Sequence, residues 1–457
     1  MMWRMVYGEY FKGKKVTVMG LGLLGRGIGD AAFIAEAGAT EVIVTDKKSV
    51  DELAVSVAQL KHFSNVKFVL GEHRLEDFEN RDLILVAAGV PMDSDYLVHA
   101  RNTGVSLAQS AALFAELSGI PIVGITGTRG KSTVTHMIYH ILSSVFDGSV
   151  LLGGNVRGLS NLQLLKQVEE DSIAVMELDS WQLQGFGWAK RSPQVAVFTN
   201  FMPDHMNYYK DDMAAYFADK ANIFKYQDDN DTLVTTVEVF EWAKKLPGAT
   251  LGQEVVLVDD SIIPEDSKLA MPGEHNKLNA ALAYKALEAL GLEEEEIFAG
   301  LASFPGVEGR LQYLGEINDV KIYNDNNATT PQAVIVGMKA VGNIDDKNVI
   351  WIGGGADKKL DTKELEQVVG AFCKKAYLLQ GTGTEKLMAA LAVYSTVNST
   401  IEVAVFDSVE AAVKAGLAVG KPGDVLLFSP GFASFGMFKN EYERNDDFMR
   451  VINSLQN

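Results

Sequence analysis

One cysteine, Cys373, is all that the 457 residues contain, so an internal disulfide is excluded and a cysteine-built zinc site lacks a second ligand. That scarcity fits a reducing compartment, and Cys373 is expected to serve core packing. Equally missing is any long charge-free apolar run of the kind that spans a bilayer. The opening stretch "MMWRMVYGEYFKGKK" has no apolar signal core, so the expected location is the cytoplasm. Positive charge is short as well. With 41 Lys and Arg against 60 Asp and Glu, the formal net charge is -19, which argues against a broad nucleic-acid surface. A small anionic ligand is still allowed if backbone amides, a few basic side chains and a metal ion hold it locally. No repeat of fixed period and no disordered tract is visible.

What is present is a globular composition, 47% hydrophobic and 22% charged. At roughly 150 residues per domain the length suggests about three domains. Short β-branched runs alternate with glycine-rich turns and amphipathic helical patterns, the signature of parallel α/β sheets. The runs are "KVTVMG", "EVIVTD", "LILVAAG", "IPIVGITG", "IAVMEL", "VAVFTN", "NVIWIGGG", "AYLLQGTG" and "DVLLFSP". Between the third and fourth, "SLAQSAALFAELSGI" reads as a helix, and the acidic "LEEEEI" as a solvated turn or helix start. Proline and glycine in "FPGVEGRLQYL" interrupt the pattern before a new strand set. These breaks place domains at 1–108, 109–308 and 309–457.

Two glycine loops compete for the functional reading. Gly20, Gly22 and Gly25 form a GxGxxG turn between a strand and a helix, with Asp46 closing the next strand. Taken alone, this fits NAD, another nucleotide or a structural turn. The second loop, "GITGTRGKST", is more specific. Gly127 and Gly130 free the backbone to curl amides around phosphate oxygens, and Lys131 adds a point charge. Ser132 or Thr133 can ligate magnesium. Val134, Met137, Ile138, Ile141 and Leu142 recur at helical spacing, so a helix amino terminus faces the same phosphates. Only Thr128 and Arg129 separate the two glycines, fewer than in the usual Walker loop.

That shortened "GTxGKS" resembles the ATP loop of the Mur ligase family, which includes muramyl peptide ligases and folylpolyglutamate synthases. Further motifs follow in family order: "GGN" at Gly153, "MELDSWQL" at Met176, "FTNFMPDHMNYY" at Phe198, the lysine of "FADKANIF", "GEHNKLNAALA" at Gly273, Arg310, "NDNNATTP" at Asn324, "GGGADK" at Gly353 and "SPGFASF" at Ser429. The compact start with "MGLGLLG" and the "GGGADK" segment are most like the branch that adds glutamate to a UDP-linked muramyl-alanine acceptor. The resemblance implies an α/β protein of three domains: a Rossmann-like N-terminal domain for the UDP substrate, a central P-loop ATPase-like domain with a parallel sheet, and a Rossmann-like C-terminal domain for the amino acid. It also implies a monomer that performs ATP-dependent, ADP-forming amide ligation through an acyl phosphate in peptidoglycan precursor synthesis.

Residue by residue, the resemblance carries ATP to Gly127, Thr128, Gly130, Lys131, Ser132, Thr133, Asn276, Asn279, Arg310 and Asp325. Two magnesium ions would be held by Ser132, Glu177, His205 and a carbamylated Lys220, with Lys131, Glu177, His205 and Lys220 as the catalytic set. Without the resemblance, His205 would be an ordinary loop residue, Lys220 a solvated surface charge and the pair Asn276 and Asn279 a polar helix start. The N-terminal loop becomes a uridine diphosphate site, with Gly22, Leu23, Leu24, Asp46, Gly89 and Asn155 as its residues. The amino acid falls to Lys358, Ser434 and Phe435. Four departures from the family pattern stand out. Leu24 replaces a hydroxyl residue and "AAGVP" replaces "SPGIP". Asn327 stands where a lysine is common, and "MFKNEYERND" lacks a phenylalanine at Glu441 and a glycine at Asn445. D-glutamate is the expected amino acid, L-glutamate or another muramyl peptide ligation the alternative, and an NAD-dependent oxidoreductase the remote one.

Overall fold

A computed structural model describes residues 2–22, 25–246, 251, 254–265, 267, 269, 271–397 and 401–456. Seventeen strands form three sheets among these residues. The first contains β1 (Lys15–Met19), β2 (Glu41–Asp46), β3 (Val66–Leu70), β4 (Leu83–Val86) and β5 (Ser106–Ala108), in the order β3-β2-β1-β4-β5. The second contains β6 (Ile122–Thr126), β7 (Val150–Gly154), β8 (Ile173–Glu177), β9 (Val195–Phe198), β10 (Thr232–Thr235) and β11 (Glu254–Leu257), ordered β11-β10-β9-β6-β8-β7. All pairings in both are parallel. The third contains β12 (Gln312–Ile317), β13 (Val320–Asn324), β14 (Val349–Gly354), β15 (Cys373–Leu379), β16 (Glu402–Phe406) and β17 (Val425–Phe428), ordered β12-β13-β17-β14-β15-β16. Only its β12–β13 pair is antiparallel.

Why these runs are strands follows from burial. A parallel sheet covered by helices on both faces needs apolar side chains in both directions, so its inner strands read as continuous apolar runs. Every residue of "VLLF" in β17, "IAVME" in β8 and "VIWIGG" in β14 is buried. The chain divides into two compact units, one of residues 1–264 and 279–300, the other of residues 265–278 and 301–457. The first unit holds both the first and second sheets. One apolar cluster runs from Val16 and Val42 through Phe114 to Phe198 and Phe217. In the second unit, separate clusters cover the two faces of the third sheet.

The stretch expected as one helix from Ser106 begins instead as β5, which pairs with β4 at Leu83 and Ser106, and the helix runs Ser110–Ser118. Pairing with β4 wins over the helical period for these three residues. The acidic run opens the helix Glu294–Ser303 with three glutamates in its first turn, where the helix dipole favours negative charge. Cys373 is buried in the third sheet, as expected of a packing residue. No helix among the described residues is long and apolar enough to cross a membrane.

Phe198 ends β9 directly before the functional loop residues. It is fully buried and stacks on Phe217 at 5.6 Å between ring centroids. Phe198→Ala should lower the stability of the first unit by about 3–5 kcal/mol, read as a shift in its urea unfolding midpoint; an unchanged midpoint would show that this stack is not part of the core.

Candidate active site

The "GITGTRGKST" loop joins β6 to the helix Lys131–Val145. β6 lies between β8 and β9, so the loop emerges beside the carboxyl ends of both. Residues after β9 clamp it. Asn200 accepts the Thr128 N–H on its backbone oxygen at 3.0 Å and the Arg129 N–H on Oδ1 at 2.9 Å. The Thr199 hydroxyl donates to the Arg129 carbonyl at 2.5 Å. A side chain at Gly127, whose φ is +145°, would begin 1.9 Å from that hydroxyl, and one at Gly130 would begin 2.4 Å from Asn279 Oδ1. Glycine at both positions is therefore a steric requirement of the clamp. Ser132 and Thr133 occupy the first turn of the helix.

Two lysines meet on this loop. The Nζ of Lys131 donates to the carbonyls of Gly127 at 3.0 Å and Thr128 at 3.2 Å. Lys220, from the helix Met213–Ala221, donates to the same Gly127 carbonyl at 2.8 Å and lies 3.4 Å from the Thr126 hydroxyl. The residue that the bare sequence would leave as a surface charge is 1% exposed. Burial drives its pKa well below the ordinary lysine value, and the charge of Lys131 pushes the same way, against weaker pulls from Asp179, Asp204 and Glu177. Both influences favour the neutral amine over the ammonium at Lys220.

Glu177 closes β8 and is 6% exposed, with no hydrogen bond to its carboxylate among the described residues. Its backbone oxygen accepts the Asn155 N–H at 2.7 Å. His205 caps the short helix Met206–Tyr209 in a left-handed conformation, φ 54°. Its Nε2 is 3.9 Å from an Asp204 oxygen, and its ring leans on Trp181 at 4.5 Å. Burial lowers the imidazole pKa, with Asp204 opposing and Lys131 and Lys220 assisting. The neutral ring this favours is the form a metal ion binds. Asp179, Asp204 and Trp181, which sequence reasoning did not single out, belong to the same surroundings. Asp179 caps the helix Ser180–Ala189 through a reciprocal box with Gln182. The Trp181 N–H is buried without a protein partner.

In the first sheet, Asp46 turns inward. Its Oδ2 accepts the N–H groups of Leu21 at 2.9 Å and Gly22 at 3.1 Å, and Oδ1 accepts that of Lys48 at 2.9 Å. Desolvation would raise its pKa, but these three amides together lower it. Leu23 and Leu24 lie outside the described residues. Gly89 faces the Trp181 ring at 3.9 Å from the position of a Cβ. Asn155 accepts a hydrogen bond from Arg26 at 2.6 Å.

The second unit carries the remaining candidates. Asn276 donates to the Pro272 carbonyl at 2.7 Å. Asp325 has both carboxylate oxygens engaged, one by the Leu311 N–H at 3.1 Å and one by the Ser429 hydroxyl at 2.8 Å. It thereby ties β13 and β17 to the residue following Arg310. Burial raises its pKa to about 7. Lys358 donates to the Thr329 hydroxyl at 2.9 Å. Ser434 is buried and Phe435 is 63% exposed. Asn327 and Asn445, two of the departures, both pack on Gly309; Asn445 donates to Glu308 and to none of the three residues of the amino-acid set. Missed from sequence is Arg444, 1% exposed, bonded to the side chain and carbonyl of Asn326 and to the Phe432 carbonyl.

The loop and its surroundings fit a nucleotide and a hard metal ion. The Gly127–Gly130 turn leaves room only for backbone beside the clamp, Lys131 supplies a cation, and Glu177 offers an unengaged carboxylate. No three of His, Cys, Asp and Glu gather into a ready metal cluster among the described residues. A metal here would depend on a hydroxyl, Glu177, His205 and whatever Lys220 becomes.

A family model described as the Mur ligase middle domain matches residues 125–253, and one described as the Mur ligase, glutamate ligase domain matches 309–432. The UDP-N-acetylmuramoylalanine–D-glutamate ligase of Roseiflexus is 34% identical across 97% of this chain and 99% of its own. The ligase of the same name from Streptococcus sanguinis is 32% identical over 98% of both chains. Among solved structures, the UDP-N-acetylmuramate–alanine ligase of Thermotoga maritima shares the fold at a TM-score of 0.60 and 16% identity, covering 96% of this chain and 99% of that one. The MurF ligase of Thermotoga maritima in complex with ADP does so at 0.57 and 18%, covering 99% and 97%.

The raised pKa of Asp325 has a definite sign. A carboxyl that ionises near 7 when folded and near 3.8 when unfolded stabilises the folded unit fully below 3.8, and that contribution is lost as pH rises through 7. Relative to Asp325→Asn, the wild-type unit should lose about 1.4 kcal/mol per pH unit across that window. Urea unfolding of both proteins from pH 4 to 8 measures this; parallel curves would mean the carboxyl ionises normally.

Proposed function

The chain belongs to the Mur ligase family, and we propose that it joins D-glutamate to UDP-N-acetylmuramoyl-L-alanine with conversion of ATP to ADP and phosphate, as a cytoplasmic monomer in peptidoglycan precursor synthesis. The end-to-end likeness to ligases named for that reaction carries this reading. It sets aside the dehydrogenase reading of the first glycine loop. The chemistry is a two-step condensation. The alanyl carboxylate attacks the γ-phosphorus of ATP, ADP leaves, and the amine of glutamate then displaces phosphate from the acyl phosphate and gives up its proton. The difficulty is electrostatic, because an anion must approach a polyanion.

Gly127, Thr128, Gly130, Ser132 and Thr133 cradle the phosphates with backbone and hydroxyl donors, and Lys131 neutralises charge as it shifts between the γ-phosphate and the bridging oxygens. Asn279 supports the loop at Gly130, and the family likeness assigns Asn276, Arg310 and Asp325 to the nucleotide as well. Magnesium, when bound to Ser132, Glu177, His205 and a carbamate on Lys220, supplies positive charge to the transferring phosphoryl group. Carbon dioxide adds to the neutral form of the Lys220 amine with loss of one proton, and the burial and lowered pKa of that amine support the reaction. Gly22, Leu23, Leu24, Asp46, Gly89 and Asn155 take the UDP-linked acceptor, and Lys358, Ser434 and Phe435 the amino acid. The domain limits 1–108, 109–308 and 309–457 complete this reading.

The deciding assay is phosphate release with the UDP-muramyl-alanine acceptor and either glutamate enantiomer. D-glutamate should support turnover well above L-glutamate; the reverse order would overturn the stereochemical assignment and leave ligation intact. Lys131→Ala should lower kcat by at least about 100-fold, the scale of losing one transition-state charge contact, while its melting temperature stays put. Lys220→Ala should be nearly inactive and regain turnover with added formate or acetate. Rescue by a small amine instead would point to a plain ammonium and sink the carbamate. Lys358→Ala should raise the KM for glutamate without altering that for the acceptor, and a preference for a neutral amino acid with Lys358→Ala silent would refute the glutamate assignment.

A further inference from the structure

The order of the first sheet reverses between β1 and β4, and ligands of open α/β sheets bind at the carboxyl ends of such a pair. A cavity of about 210 Å3 opens there. It is walled by the Gly20–Gly22 loop after β1, by Ala87 after β4, by Gln109 directly after β5 and by Gln182 in the helix Ser180–Ala189. Gln109 is 2% exposed, and its Oε1 accepts the Gly185 N–H at 2.9 Å. That bond fixes the amide's orientation and leaves Nε2 as a buried donor with no protein partner. A buried donor in a cavity wall asks for an acceptor from elsewhere.

A diphosphate is rich in acceptors, but the loop receives it poorly by itself. The Leu21 and Gly22 amides, which such a loop would offer to phosphate oxygens, are occupied by the Asp46 carboxylate. A fixed negative charge therefore stands behind the loop, and an anion bound in front of it needs a compensating cation. Among the residues that line the cavity, Arg26 is the one that carries positive charge. It is the first residue of the helix Arg26–Glu36, so the helix dipole adds to its field. One of its five guanidinium N–H groups is engaged, by Asn155 at 2.6 Å. Asn155 is a neutral partner, which orients the guanidinium without cancelling its charge. The buried Asp30 on the next turn is held by the Ser160 hydroxyl at 2.6 Å and the Leu162 N–H at 3.3 Å, and Arg26 acts on it only through its charge, the smallest of the influences on that carboxyl.

Resting on the acceptor reading above, we propose that Arg26 binds the diphosphate of the UDP-linked acceptor, in the cavity between β1 and β4, with Gln109 Nε2 as a second donor to the same ligand. A guanidinium can engage two phosphate oxygens at once, which an ammonium cannot. Asn155 then acts on the acceptor through Arg26 by holding it in place.

The test is thermal stabilisation by UDP, by UMP and by ADP, with acceptor KM, in wild type, Arg26→Gln and Arg26→Lys. Glutamine can keep a donor to Asn155 while removing the charge. Arg26→Gln should weaken UDP binding and raise the acceptor KM by roughly 10- to 100-fold, the scale of a charge-assisted hydrogen bond. UMP binding should fall less, because UMP lacks the second phosphate, and ADP binding and glutamate KM should not change. Arg26→Lys should lie between. Equal UDP and UMP losses, or a lower unliganded melting temperature with UDP affinity intact, would make Arg26 a strut and overturn the proposal. If UDP fails to stabilise even the wild type, the acceptor reading itself falls and takes this assignment with it.

Discussion

The carbonyl oxygen of Gly127 receives two lysine nitrogens, Lys131 at 3.0 Å and Lys220 at 2.8 Å. Two ammonium groups sharing one neutral acceptor in a buried place repel, which disfavours the charged form. Lys220 bears the greater part of that cost, because it is the one fully withdrawn from water, and its pKa is pushed well below the ordinary lysine value. Much of the first unit's architecture serves that contact. β6 has to run between β8 and β9 for the loop to reach Glu177 on one side and the Thr199–Asn200 clamp on the other. The helix bearing Lys220 has to seat Tyr216 and Phe217 in the core so that the lysine is carried in with them. Burying an amine with no acid to pair with costs stability.

The second unit solves a related problem without losing a proton. Arg444 is buried, and its partners are oxygens of Asn326 and Phe432, all neutral. Burial lowers its pKa to about 10, with Glu441 pulling the other way, so it stays charged at neutral pH. Its positive charge sits against the carbonyl two residues before Ser434. The missing lysine at Asn327 therefore does not leave this unit without a fixed cation. Asn327 and Asn445 meanwhile brace Gly309, next to Arg310. Substitutions that the sequence pattern assigns to an amino-acid pocket have their contacts on the Glu308–Gly309 segment.

How far the sequence alone reveals this depends on burial. All nine apolar runs that read as strands lie inside their sheets. The edge strands β3, β5, β7, β11, β12 and β16 do not read so clearly, because one side of an edge strand faces water and its apolar run is broken or short. The inner strands β10 and β13 are equally quiet, being threonine-bounded or interrupted by Lys321 and Tyr323. In the site, the glycines and Lys131 are legible since their chemistry is local to one loop. Asp179, Trp181 and Arg444 are not, because an acid, an indole or an arginine acquires its role from residues distant in the chain. The inward turn of Asp46 is also hidden: the sequence fixes its place at the end of β2, not that two loop amides take its carboxylate.

A chain of net charge -19 that handles anionic ligands cannot attract them by its overall field. Attraction has to come from cations whose charge is not already cancelled, and the hydrogen-bond partners show which these are. Arg81 is paired with Glu41, Lys374 with Asp424, and Lys375 with Glu402. Arg26 and Arg444 are held instead by amide and carbonyl oxygens. A neutral oxygen fixes a guanidinium in direction while leaving its charge whole, whereas a carboxylate at the same distance would do both jobs and leave little field outside. Sorting the basic residues by what holds them therefore separates those whose charge a carboxylate cancels from those held by neutral oxygens. By that sorting, Arg26 stands at the first sheet's glycine loop, at the carboxyl ends of strands where an open parallel sheet presents its ligand, whereas Arg444 is buried against the Asn326 and Phe432 carbonyls.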